Sequence, residues 1–160
     1  MLQQILSDLP RIPVRERLGE RCLAFLRRHA VPHELIDALD ECAHAGPIRI
    51  GPVSLSRLAE LDKDNQDEAH ATCIERGFLI VGSGLNGDAI AVDLASGTMA
   101  FVSHDILWEK AYDDFEECVV RTPMTFHEFW HEAFSSPNFP RDSRDAEERW
   151  SPRTDPRGAR

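Results

Sequence analysis

Two short motifs in this 160-residue chain combine residue types and spacing that could do chemistry. His127-Glu128-Phe129-Trp130-His131 spells H-E-x-x-H. On a helix the two imidazoles stand one turn apart, where they could hold zinc while the glutamate acts as general base. No distinctive third ligand accompanies them, because Glu147 and Glu148 stand in a stretch rich in proline, arginine, aspartate and serine. Gly82-Ser83-Gly84-Leu85-Asn86-Gly87 spells G-x-G-x-x-G directly after an apolar run. A dinucleotide site of that kind seats a pyrophosphate on the helix that follows. Here Asp88 to Leu94 follows, and its alternation is that of a strand, so the glycines are expected to serve a hairpin connection.

No other set of residues has the makings of a reactive site. Ser83 is not in a G-x-S-x-G turn, and the adjacent pairs Asp113-Asp114 and Glu116-Glu117 read as a solvated face. Cys22, Cys42, Cys73 and Cys118 form no Cys-x-x-Cys pair and are expected to be buried free thiols. The residues therefore predict no catalytic group, no metal and no cofactor.

The elements that would position these motifs follow from hydrophobic periodicity. Leu18, Cys22, Phe25 and Leu26 recur at helical spacing and predict a helix over Val14 to Ala30. Pro32 opens a second, carrying Leu35, Ile36 and Leu39 and ending near Gly46-Pro47. Ile48 to Ile50 reads as a short strand, then Ser54 or Ser56 as the cap of a helix carrying Leu58 and Leu61. From Phe78 the period becomes that of strands. Phe78–Val81, Ile90–Leu94 and Met99–Val102, separated by glycine-containing turns, predict a three-stranded meander. At Thr125 and Glu128 the sequence fits a capping box, with Met124 and Phe129 as its hydrophobic staple. Phe126, Phe129, Trp130, Ala133 and Phe134 share one arc of that helix, which should pack on the sheet. Beyond Ser136 the composition predicts a flexible charged tail. The expected fold class is thus α+β, an antiparallel meander flanked by N-terminal and C-terminal helices, with one domain at 1–135 and the tail at 136–160.

Charge narrows the choice of partner. The formal net charge is −10, and it resides in the middle: residues 47–135 carry six lysines and arginines against sixteen acids. Such a surface repels phosphate backbones and anionic lipid and favours a basic protein. No apolar stretch is long enough for a membrane span, and the first residues lack the order of a signal peptide, so a cytoplasmic location is expected.

With these residues in place, the chain resembles the SUKH superfamily over roughly Val31 to Phe134. That superfamily groups bacterial toxin-immunity proteins with a yeast regulator of cell-wall synthesis. The likeness lies in Pro32, Leu35 and Leu39; in Phe78 to Gly82, Gly87-Asp88, Asp93, Gly97 and Met99 to Val102; and in Thr125-Phe126-His127-Glu128-Phe129. The resemblance implies an antiparallel sheet flanked by helices and a protein that neutralises a toxin domain, often a nuclease, by binding it. It implies no catalytic residue, makes the matched positions mainly scaffold, and leaves Gly87-Asp88 as a border of a binding cleft. The expected partner is a cognate toxin, basic in charge, with no direct nucleic acid and no membrane. The expected contacts are Asp62, Asp64, Asp67 and Glu68 after the third helix, and Asp105, Trp108, Tyr112, Asp113, Asp114, Glu116 and Glu117 before the last one. A regulatory protein-binding scaffold and a zinc-dependent hydrolase built on His127, Glu128 and His131 stand as the alternative functions.

Overall fold

The computed structural model of the chain describes residues 2–150 except Pro10, Ala69, Lys110 and Ala111, and describes only the backbone of Leu2, Gln3, Trp108, Glu109, Tyr112, Asp113 and Asp114. The chain runs α1 (Leu2–Asp8), α2 (Glu20–Arg28), α3 (His33–Glu41), β1 (Ile48–Ile50), β2 (Val53–Leu55), α4 (Leu61–Asp64) and α5 (Ala71–Glu75). It continues through β3 (Phe78–Ser83), β4 (Ala89–Asp93), β5 (Thr98–Val102), α6 (His104–Glu109), a 3-10 segment (Tyr112–Cys118), β6 (Val119–Thr125), α7 (Phe126–Ser135) and α8 (Ser143–Trp150). All six strands form one antiparallel sheet in sequence order, so the fold is α+β with a meander sheet. No helix among the described residues is long and apolar enough to cross a membrane.

Alternation along the central strands sends side chains to two cores. Leu79, Val81, Ile90, Val92, Met99 and Phe101 face one side, where they meet Phe126, Phe129 and Trp130 of α7 together with the N-terminal helices. Phe78, Ile80, Ala89, Ala91, Ala100 and Val102 face the other, covered by Cys73, Phe115 and Cys118 with Ile106 and Leu107. Both faces are therefore buried, and the second layer comes from the short middle elements that the sequence reading left unassigned.

Four expectations are corrected. The helix predicted from Val14 begins only at Glu20, because residues 11–19 run extended: Glu16 donates to the Ala43 carbonyl at 2.9 Å, and Ala45 to that of Val14 at 2.7 Å. Ser54 caps no helix; it lies in β2 between Arg49 and Ser83, and the helical residues Leu58 and Leu61 fall in a 3-10 turn (Leu58–Glu60) running into α4. β6, unread in the sequence, adds an edge strand beyond β5. The flexible tail does not begin at residue 136. Phe139 and Ala146 are buried, Phe139 meets Phe129 edge-on at 4.9 Å between centroids, and Trp150 stacks on Phe101. α8 is polar by composition, but those three apolar side chains are enough to dock it. Residues 151–160 lie outside the described ones.

Candidate functional site

Each glycine of the G-x-G-x-x-G run has a structural task. A methyl group on Gly82 would lie 2.4 Å from the Ser54 carbonyl oxygen and 2.9 Å from Cη2 of Trp130, and one on Gly84 would lie 2.6 Å from the Arg141 carbonyl oxygen. Gly87 takes the left-handed φ of +96° that turns the chain into β4. The loop thus seats α7 and the approach to α8, and a strand follows it, as the alternation predicted.

The H-E-x-x-H residues are likewise placed by the helix start. The Glu128 carboxylate accepts the Thr125 amide at 2.9 Å and the Thr125 hydroxyl at 2.7 Å, closing the capping box, and those hydrogen bonds hold its carboxyl below the usual value. His131 is exposed, while His127 buries its Nδ1 against the protein with no polar partner there. No group of three or more histidine, cysteine or carboxylate side chains among the described residues is placed to hold a metal ion. The thiols of Cys22, Cys42, Cys73 and Cys118 form no disulfide and are all buried, as expected.

The acidic residues separate into structural and exposed groups. Asp62 is 2% exposed: Arg21 closes over it, Nε to Oδ2 2.5 Å, so it is a buried support of α4 and not an available contact. Asn65, one turn on, is fully buried and acts as a one-residue strand, accepting the Ile80 amide at 2.8 Å and donating to the Ile80 carbonyl at 2.9 Å. The sequence reading missed it, although Leu58, Leu61, Asp62 and Asn65 share helical spacing. Asp64 is half-buried; burial pushes its carboxyl up, opposed by His70 and reinforced by Glu60, Asp67 and Asp62.

Asp67 and Glu68 are exposed after α4, Glu75 is exposed on α5, and Asp105, Glu116 and Glu117 are exposed on α6 and the 3-10 segment. α5, α6 and the 3-10 segment all cover the second sheet face, and Cys73 of α5 interacts with Cys118 across it. Glu116 is not an open charge: Arg121 grips it with Nη1 at 2.8 Å and Nη2 at 3.3 Å while its Nε meets Asp93 at 2.8 Å. The side chains of Trp108, Tyr112, Asp113 and Asp114 lie outside the described residues.

Between this face and α8 sits Asp88, fully buried. Its Oδ1 accepts the His104 amide at 3.0 Å and His104 Nδ1 at 2.9 Å, and its Oδ2 accepts the Ser143 amide at 2.7 Å. Burial alone would raise this carboxyl; the hydrogen bonds from Ser143 and His104 outweigh it and hold it low. One carboxylate thereby ties β4 to the starts of both α6 and α8. Chemically, the arrangement offers an acidic surface, with the buried Asp62, Asn65 and Asp88 spent on holding the frame.

Comparison of the chain with protein-family models, with curated proteins and with solved structures finds no match in any of the three.

Proposed function

We propose that this chain is an immunity-type protein of the SUKH kind, acting in the cytoplasm by stoichiometric binding of a basic toxin domain, without a cofactor. The observation that carries the reading is the placement of Glu75, Asp105 and Glu117 on elements that cover one sheet face, with Asp67 and Glu68 exposed in the turn that leads into the first of them. Surface charge of one sign steers a complementary partner and raises its encounter rate. The two motifs with catalytic spacing support the same reading, since Gly82, Gly84, Gly87 and Glu128 all serve packing, turning or capping.

The test is co-expression with the toxin-like product of a neighbouring gene, scoring growth and co-purification. Rescue with a one-to-one complex is the expected result. Glu68→Lys, Glu75→Lys and Glu117→Lys combined should then slow association at least about tenfold at low salt and flatten its salt dependence. Failure of rescue, or unchanged kinetics in that variant, would remove this reading.

A further inference from the structure

We propose that Asp88 is a positioning residue through which α8, on one face of the sheet, holds α6 on the other, so that loosening α8 loosens α6. Only the consequence for a binding partner rests on the reading of the acidic face as a partner surface. Ala146 of α8 is buried in the first core, whereas Ile106 and Leu107 of α6 pack against the second. Asp88 stands where β4 begins, with its side chain 1% exposed.

The two helices begin alike. In α6 the Ser103 hydroxyl accepts the Ile106 amide at 3.5 Å, and in α8 the Asp142 carboxylate accepts the Asp145 amide at 2.9 Å. Each local cap therefore takes the amide of the third helical residue and leaves over that of the first. Asp88 takes both of those, His104 at 3.0 Å and Ser143 at 2.7 Å, and adds His104 Nδ1 at 2.9 Å and the Ser143 hydroxyl.

A carboxylate is one rigid plane, and that joins the two sets of bonds. Its oxygens turn together, so Oδ2 cannot leave Ser143 for water while Oδ1 keeps its aim at the His104 amide and ring. Nor does Asp88 stay in place with half its donors gone, since a buried ionised carboxylate short of hydrogen bonds is costly. α6 is the part that yields. It has six residues, too few to stand on internal hydrogen bonds, and Ile106 and Leu107 are only partly buried. When α8 lifts, Asp105 accordingly loses its fixed place on the acidic face.

Amide hydrogen exchange on the whole chain tests the link without any partner. Phe139→Ala removes a ring packed on Phe129 and on Trp150 at the end of α8, and it touches neither Asp88 nor α6. α5 is the internal reference, because it covers the same face as α6 and takes no part in the Asp88 cluster. The expected result is exchange at least about fivefold faster over residues 104–107, with α5 unchanged. Ser143→Ala removes only a hydroxyl and keeps the fold, and it should move α6 the same way by at least about twofold. Unmoved α6 amides in either folded variant, an equal change in α5, or α6 amides without protection in the native chain would overturn the link. A failed co-expression test leaves this comparison of α6 with α5 as it stands, so the two readings fail separately.

Discussion

Gly82 and Trp130 meet where β3 bulges between Ile80 and Gly82, and the Ser54 carbonyl oxygen crowds the same position that a β-carbon on Gly82 would take. That three-way contact lets β2, β3 and α7 meet without a gap, and Trp130 is fully buried because of it.

Gly82→Ala should therefore destabilise the fold by about 2 kcal/mol, since backbone and an indole must both give way. Gly97→Ala offers the contrast. Gly97 has a φ of +73° but open space around it, so only the left-handed backbone is strained, at about 1 kcal/mol. Urea denaturation of both variants measures the order, and a larger loss at Gly97 would show that the contact with Trp130 and Ser54 is slack.

Arg121 binds two carboxylates at once, and their titration gives the pH dependence its sign. Burial would raise Asp93, but Arg121 and the amides of Ala95 and Ser96 outweigh it; Glu116 is lowered chiefly by its hydrogen bond to Arg121. Folded values below the unfolded ones mean stability present in full above about pH 4.5 and lost as pH falls through the folded values. Arg121→Gln should cost about 1 kcal/mol at neutral pH, discounted for the exposure of the guanidinium, with the difference from the native protein shrinking in acid. Unfolding curves at neutral and acidic pH check both parts.

The start of α7 is held by its cap. Thr125→Ala should lose about 1 kcal/mol, and Glu128→Gln should keep more stability than Glu128→Ala because the amide oxygen still accepts. Thermal melts with and without a chelator should coincide. A chelator-dependent melting temperature would point back to His127 and His131.

Removing the ring of Phe139 takes away the partner of Phe129 and loosens α8. Phe139→Ala should cost about 3 kcal/mol. Ending the chain at Ser135 should expose Phe101 and Phe129, read as increased binding of a hydrophobic dye. Native-like behaviour of either form would make α8 an ornament.

Burial pushes the Cys22 thiol up to about 11 and those of Cys42 and Cys73 up to about 12. At mildly alkaline pH these three should resist a thiol reagent until denaturant is added, because the attacking species is the thiolate. Rapid labelling of the native protein would contradict their burial.

What the sequence determined by itself was local. The Thr125–Glu128 box and the alternation from Phe78 to Val102 are short-range patterns, and both stand where the residues predicted them. The charge excess, too, could be placed in the middle of the chain by counting. Only the tertiary structure decided which polar residues are interior. Asp62 is covered by an arginine 41 positions away, Asn65 completes a strand 15 positions on, and Asp88 anchors Ser143 across 55 positions. The same holds for α8, whose docking depends on where Phe101 and Phe129 lie, and for β6, which pairs only once β5 is in place. A buried hydrogen bond is favourable only when its distant partner has been folded into reach, and no periodicity along the chain encodes that meeting.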